Sequence, residues 1–554
     1  MRKLTQAVLL AAFIPFCSAA NLAYSTYLRD GFTPSAITAE AQGNVYVAGR
    51  AVIDPASGAV SAVVAKLDPT ASNYLYLEFL DSAASDTISS IAVDALGNLF
   101  LTGTTFNPNF PATSGIPPKG PSDSRAYVTK LGPNGTVQFS ALIGGSAVSN
   151  GAGIAVTPQG QILVSGISGP GFAPTKGAYS VADTTNKWFL VELDASASKV
   201  IFSATGIGGR FLALDAAGNI FMAGSGIGTD YPTTSGAYQT TLTQGYVCYG
   251  FCRFGFPGGL QHLTKMDPTG SKLIYSTGLN DPKGAAGSTV TTGLAVDAAG
   301  NAYVAGTLFE GQYPFTVPVP VGGSNGGFVT KVDPTGSSLV FSVPYGGNGF
   351  ARDSAGAIYT AGNISTYEPV GFPGIQPPRV VRLIDALSWI PAPCVPNSLT
   401  ATGAAFLLKL DSARGSVLDA QWIDGASPSA TAVAFAGTKL WAVGTSVAPD
   451  VPITPGALIP ASLPPGPTAG AFLSAADFSK PAAPAAPAIA CVLDAGNMTH
   501  AGPVAGYQIL ALAMKSCQNF GIPVGFTGKV QHNGIRGVIR DNQIVRWPVG
   551  KWSA

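Results

Sequence analysis

The three histidines, His262, His500 and His532, stand far apart in the chain. None belongs to a His-Glu-x-x-His, Gly-x-Ser-x-Gly, Walker or dinucleotide-glycine pattern. Recurring carboxylates are the next candidates for chemistry: Asp94, Asp215, Asp297 and Asp353 each open a short Gly-containing turn. One carboxylate per turn cannot supply the six or more oxygens that calcium wants. Their expected role is to hydrogen-bond the turn backbone. No catalytic, metal-ligating or cofactor-binding residue is therefore assigned, and no cofactor is implied. Cys248 and Cys252 share a Gly-rich aromatic loop. They point to a local disulfide rather than a metal site, because four ligands are needed and His262 is the nearest histidine. The same loop holds Tyr246, Tyr249, Phe251, Phe254 and Phe256 beside Arg253, and a second long loop holds Tyr367, Phe372 and Trp389. Aromatics of this kind stack on sugar rings or anchor a protein partner. The alternative is that they pack down over their own part of the fold.

The elements that must position these loops are copies of one unit. The word Ile-Ala-Val-Asp-Ala-Leu-Gly-Asn-Leu-Phe-Leu-Thr-Gly, Ile91 to Gly103, returns with endings at Gly49, Gly166, Gly224, Gly306, Gly362 and Gly444. Spacings of 54 to 82 residues suit four short strands with variable loops. In one copy these are Gly293–Val296, the Asp297–Asn301 turn, Ala302–Gly306, then Phe328–Asp333, a Pro334-Thr335-Gly336 turn and Leu339–Ser342. Lys66-Leu67-Asp68-Pro69, Lys130-Leu131-Gly132-Pro133, Lys265-Met266-Asp267-Pro268 and Lys409-Leu410-Asp411 repeat the third strand.

Four strands in seven copies make a propeller, since each small sheet is apolar on both faces and must lie between two others. Residue size follows the wedge. One column holds Thr38, Ala92, Ala155, Ala213, Ala295, Ala351 and Ala434; the matching column one strand outward holds Tyr46, Phe100, Leu163, Phe221, Tyr303, Tyr359 and Trp441. Small side chains belong where sheets converge and bulky ones where they diverge. The small column carries no ionisable group, which argues mildly against a catalytic centre at the channel mouth. Leu22–Leu28 reads as a fourth strand similar to Leu273–Leu279, while the seventh unit has only a weak fourth strand after Ala471–Asp477. The N-terminal strand is expected to fill that gap and remove the open edges.

The Asp-Ala-x-Gly-Asn-x-Tyr-Val-Ala-Gly word resembles the bacterial seven-bladed β-propeller repeat called SBBP, as does Tyr231–Gln239, with partial echoes at Phe110-Pro111 and Val451–Ala457. The resemblance covers Asn21 to about Lys480. It implies an exported protein, and it transfers no catalytic motif.

The fold class is thus all-β: a seven-bladed propeller of four-stranded antiparallel blades closed by the N-terminal strand, with a short C-terminal extension. Arg2 and Lys3, the apolar run Ala7–Phe16 and the small residues Ser18, Ala19 and Ala20 form a secretory signal over residues 1–20. A lipid-anchored Cys17 is the rival reading, disfavoured by bulky Phe16. The propeller is assigned to residues 21–479, a Pro/Ala-rich linker to 480–490, and a partial or divergent β module, basic toward its end, to 491–554. Five cysteines remain after the signal, an odd number.

A formal charge of +1, with 11% charged residues, gives no long-range field for a polyanion. Nucleic acid is not an expected partner, no later segment is long and apolar enough to span a membrane, and a monomer is expected. The leading functional reading is a secreted, non-catalytic scaffold that recognises a glycan or an exported protein through loops on one face. The others are an extracellular polysaccharide lyase or hydrolase with its site at the channel mouth, and a structural cell-surface protein. The two long insertions, Ser225–Leu260 and Asn363–Ala405, follow the same strand of their blades and so should emerge on one face.

Overall fold

The computed structural model describes residues 22–54, 56, 59–80, 86–115, 124–145, 147–181, 187–226, 229–242, 246–248, 255–257, 259–280, 289–308, 313–317, 326–365, 403–423, 428–446, 451–459, 470–479, 529–532, 535–540 and 543–546. Among them every regular element is a strand. Seven sheets run from inner to outer strand, antiparallel throughout except that the two-residue strand Ser114–Gly115 pairs in parallel with the outer strand of blade two. Blade one is Phe32–Ala39, Val45–Asp54, Ala59–Leu67 and Tyr74–Leu80; blade two is Thr87–Val93, Leu99–Thr105, Arg125–Leu131 and Val137–Ile143. Blade three is Ser149–Val156, Ile162–Ser168, Lys187–Leu193 and Val200–Thr205; blade four is Phe211–Leu214, Ile220–Gly226, Leu260–Met266 and Leu273–Gly278. Blade five is Thr289–Val296, Ala302–Leu308, Gly327–Val332 and Leu339–Val343; blade six is Gly349–Arg352, Ile358–Ser365, Gly403–Leu410 and Val417–Ile423. Blade seven takes Ser429–Ala436, Lys439–Ser446 and Gly470–Asp477 from the C-terminal side, and its outer strand is Tyr24–Tyr27.

That last pairing closes the ring. Tyr24 faces Ala475 and Tyr27 faces Phe472 in antiparallel register. The Ser25 and Ser474 hydroxyls meet at 2.8 Å, and the Tyr27 hydroxyl accepts the Val451 N–H at 2.8 Å. Each inner strand packs on the next, and the blade-seven inner strand packs on that of blade one, so the circle is complete at the axis as well.

The size gradient is a real cross-strand register. Thr38 pairs with Tyr46, Ala92 with Phe100, Ala155 with Leu163, Ala213 with Phe221, Ala295 with Tyr303, Ala351 with Tyr359 and Ala434 with Trp441. The bulky partners lie in the apolar layers between blades, at or below 1% exposure for Trp441, Tyr46, Phe100, Phe221, Tyr303 and Tyr359. Burying such side chains is the main stabilising term of the disc.

Two backbone devices recur. In blades one, two, three, five and seven the inner strand carries a bulge opposite the repeat glycine, at Pro34/Ala36, Ile88/Ser90, Gly151/Gly153, Thr291/Gly293 and Ala430/Ala432. A Cβ at Gly49, Gly103, Gly166, Gly306 or Gly444 would stand 1.7 to 2.4 Å from a carbonyl oxygen of the bulged strand. Close approach, not a turn, is why these positions are glycine. The second device clasps the outer edge. Thr113, Thr175, Thr234, Thr316 and Thr454 each donate their N–H to the carbonyl of an outer-strand serine and accept that serine's N–H on Oγ1, at 2.8 to 3.1 Å. The serines are Ser140, Ser203, Ser276, Ser342 and Ser25. This occupies part of each edge strand that would otherwise offer free backbone groups.

Ala482–Ala554 falls in a second compact unit, in which Lys529–His532, Ile535–Arg540 and Gln543–Arg546 form a three-stranded antiparallel sheet.

Candidate functional site on the propeller axis

A bulge inserts one residue and re-aims its side chain. The inserted residues are Ser35, Ser89, Ala152, Thr292 and Thr431. Blades four and six reach the same place by another route: their inner strands begin only at Phe211 and Gly349, directly after Gly208-Gly209-Arg210 and Gly346-Gly347-Asn348. Gly209 and Gly347 lie so close to the carbonyl oxygens of Ala223 and Ala361 that a Cβ would sit at 2.6 and 2.1 Å. The result is a ring of one residue per blade: Ser35, Ser89, Ala152, Arg210, Thr292, Asn348 and Thr431. Six of these, all but Ala152, line a cavity of about 430 Å³ on the axis, with Ile37, Ile91, Ile154, Leu212, Phe350 and Val433 among the residues beneath and between them. That volume is in the range of small-ligand clefts, roughly 300–1,000 Å³.

Three ring residues spend a donor on the neighbouring blade. Ser35 Oγ donates to Ile88 O at 2.7 Å, Thr292 Oγ1 to Gly347 O at 2.6 Å, and Asn348 Nδ2 to Ala430 O at 3.0 Å, each reaching the next blade. The oxygens of Ser35 and Thr292 keep their acceptor lone pairs. Among the described residues the hydroxyls of Ser89, Ser90 and Thr431 make no hydrogen bond to protein.

Arg210 is the one charged residue among those lining this cavity. Its guanidinium lies 5.7 Å from the Phe211 ring centre, solvent reaches it through the channel, and no carboxylate pairs with it among the described residues. The surrounding protein lowers its pKa from the ordinary value by desolvation, yet a guanidinium stays charged at neutral pH. The loop that carries it is fixed from below. His262 Nε2 and the Tyr231 hydroxyl both reach Gly208 O, at 2.9 and 3.0 Å, and the Gly209 N–H donates to Ser165 Oγ at 2.9 Å. Tyr231 stacks on His262 with ring centres 3.7 Å apart, and Trp188 meets it edge-on. Burial pushes the His262 pKa down to about 4, so the ring is a neutral hydrogen-bonding strut. His262 occupies the third-strand place held by Tyr127, Phe189, Phe328, Phe406 and Phe472 elsewhere.

The turn carboxylates hold turns. Asp94, Asp215 and Asp297 each accept backbone N–H groups of their own hairpin and the side-chain amide of Asn98, Asn219 or Asn301. Two also receive a third-strand lysine: Lys265 at 3.2 Å from Asp215 and Lys331 at 3.3 Å from Asp297. Glu40 receives Lys66 at 3.4 Å. These ammonium groups lie 4.8 to 4.9 Å from the centres of the Phe221, Tyr303 and Tyr46 rings. Burial opposes ionisation of Asp215, but hydrogen bonds from Asn219 and the Lys265 charge outweigh it and hold the carboxyl below its usual range. Blade three has Leu163 in place of the aromatic and Glu192 in place of the lysine. With no π face there is no cation, and burial raises the Glu192 pKa. Among the described residues no three His, Cys, Asp or Glu side chains gather in a way that could hold a metal ion. No helix there is long and apolar enough to cross a membrane.

Of the loop residues singled out in the sequence, Tyr246 and Cys248 fall in the strand Tyr246–Cys248, and Phe256 in Gly255–Pro257, which pairs with it. Tyr249, Phe251, Cys252, Phe254, Tyr367, Phe372 and Trp389 lie outside the described residues. Both insertions do leave from the end of a second strand, after Gly226 and after Ser365. The axial cavity sits in the half of the channel nearest that same face, because second strands end beside the starts of inner strands. Arg210 was missed because the small column lies three residues further on. Reading the positions three before Thr38, Ala92, Ala155, Ala213, Ala295, Ala351 and Ala434 gives the pocket ring, in which arginine is the lone ionisable residue.

The β-propeller repeat SBBP matches residues 75–111, the outer strand of blade one and the first half of blade two. No curated protein matches the chain. Solved structures similar to it include a quinohemoprotein alcohol dehydrogenase from Pseudomonas putida HK5, 11% identical, covering 90% of this chain and 82% of that one with a TM-score of 0.37. A protein of unknown function from Dyadobacter fermentans is 9% identical, covering 82% and 98%, with a TM-score of 0.36. The WD40 domain of Neurospora crassa Pan2 is 8% identical, covering 77% and 94%, with a TM-score of 0.38.

Proposed function

Given an SBBP-type ring of seven four-stranded blades, we propose that the protein is an exported, non-catalytic binding scaffold that takes a glycan or another exported protein on the face bearing the two long insertions. The observation that carries this reading is the composition of the axial cavity. Hydroxyls, one amide and one guanidinium line it, and no carboxylate or imidazole is among the described lining residues. Glycoside cleavage by acid–base chemistry wants a pair of carboxylates across the scissile bond. Hydrogen-bonding groups held by a rigid ring are what recognition needs. The signal-like residues 1–20 and the loop aromatics Tyr246, Tyr249, Phe251, Phe254, Phe256, Tyr367, Phe372 and Trp389 fit the same reading, as does a Cys248–Cys252 disulfide.

The test is a binding screen of the secreted protein against plant and bacterial polysaccharides, with chromatographic analysis of each mixture for products. Retention on a polysaccharide without product release supports a scaffold. Release of shortened or unsaturated oligosaccharides overturns it in favour of an enzyme.

A further inference from the structure

We infer that the axial cavity is a subsite for an acidic saccharide, with Arg210 as the residue that selects the sugar carboxylate. This rests on the binding reading above and names the ligand class of that site. Arg210 is presented to the channel without a carboxylate partner among the described residues, so its two-pronged donor face is available to a ligand carboxylate. The loop beneath it is braced by His262, Tyr231 and Ser165. The backbone that carries the charge is thus fixed before binding, and only the arginine side chain itself remains to be ordered.

The remainder of the ring selects for hydroxyl donors. Ser35 and Thr292 have given their protons to the neighbouring blade and present acceptor lone pairs. Ser89, Ser90 and Thr431 add hydroxyls with no protein partner among the described residues. A polyhydroxylated ring bearing one carboxylate satisfies both sets. A peptide C-terminus brings the carboxylate but few O–H donors. A bare inorganic anion leaves the hydroxyl arc unused.

The experiment is titration calorimetry of the full secreted protein with a glucuronate-containing disaccharide, the methyl ester of the same disaccharide, and inorganic sulfate. Wild-type protein is expected to bind the acid roughly tenfold or more tighter than its ester, the scale of a charge-assisted pair. Arg210→Ala should remove that preference, so that acid and ester bind the variant alike. Arg210→Lys should restore part of it, since an ammonium supplies charge without the fork. Thermal melts of both variants check the fold. Equal affinity for acid and ester, a preference that survives Arg210→Ala, or sulfate binding without sugar binding overturns the inference. A neutral polysaccharide retained in the screen while the acid fails here would sink the subsite and leave the scaffold reading standing. Product release in the screen would sink the scaffold reading whatever the calorimetry gives.

Discussion

Replacing Gly103 by alanine tests the reason for the repeat glycine. An added Cβ would lie 1.7 Å from Thr87 O and 3.1 Å from Ile88 Cα. Contacts of Cβ with a heavy atom below 3.0 Å are essentially never found, so the inner and second strands of blade two must part by more than 1 Å. Neither atom belongs to a side chain that can rotate away. The strain therefore falls on the Ile88/Ser90 bulge and its ladder, and the cost belongs at the upper end of overpacking, about 3 kcal/mol. Unfolding entropy near 2.1 cal/mol/K per residue, over roughly 460 residues of propeller, makes that about 3 °C in melting temperature. Gly226→Ala is the matched control, because its Cβ would meet only Trp188 Nε1 at 3.5 Å, an ordinary contact. Differential scanning calorimetry of both variants should show a drop for Gly103→Ala and no loss for the control. Equal melting temperatures for the two would refute the idea that the bulge needs glycine opposite it.

Two further outcomes follow from buried charge. The folded-state pKa of His262 is depressed to about 4, below the ordinary 6.5. Its contribution to stability is therefore complete above about pH 6.5 and is lost as pH falls toward 4, about 2 kcal/mol of it between pH 6.5 and 5. His262→Phe, which installs the ring used in blades three, five, six and seven, should flatten the melting temperature across that interval; an unchanged slope would count against the buried neutral imidazole. Asp215→Asn should cost about 3 kcal/mol by leaving the Lys265 ammonium buried without its counter-charge. Lys265→Met on top of it should recover most of the loss in urea melts, and additive losses in the double variant would show that the two side chains are not paired. The Asp215 carboxyl lies below its usual range, so its stabilisation is present above about pH 4 and disappears only at lower pH.

Strand order, blade number and closure were legible because they rest on period and size. The pairing of Ala213 with Phe221, or of Thr38 with Tyr46, is a statement about volume, and volume is written in residue type. The seam was legible because Leu22–Leu28 reads like an outer strand and the seventh unit has only a weak one of its own. The binding ring was harder. A bulge adds one residue to a strand and breaks the two-residue alternation that sequence reading relies on. Ser89 and Arg210 thus sit at equivalent places although one is inside a strand and the other before one. Nothing in the sequence marked Gly208 and Gly209 as the counterpart of a bulge, because the relation is a carbonyl contact across the sheet. His262 was given no role in the sequence because it stands apart from other candidate ligands. Its partner proved to be a backbone oxygen, which no side-chain pattern records.

The claim on which all of this depends is that the first strand completes the last blade. Cysteines placed at Ser25 and Ser474, whose hydroxyls lie 2.8 Å apart, test it directly. After mild oxidation, mass spectrometry of proteolytic digests should find the peptide containing residue 25 joined to the peptide containing residue 474 in nearly every molecule. Two freely titratable thiols and no such cross-link would contradict the closed ring.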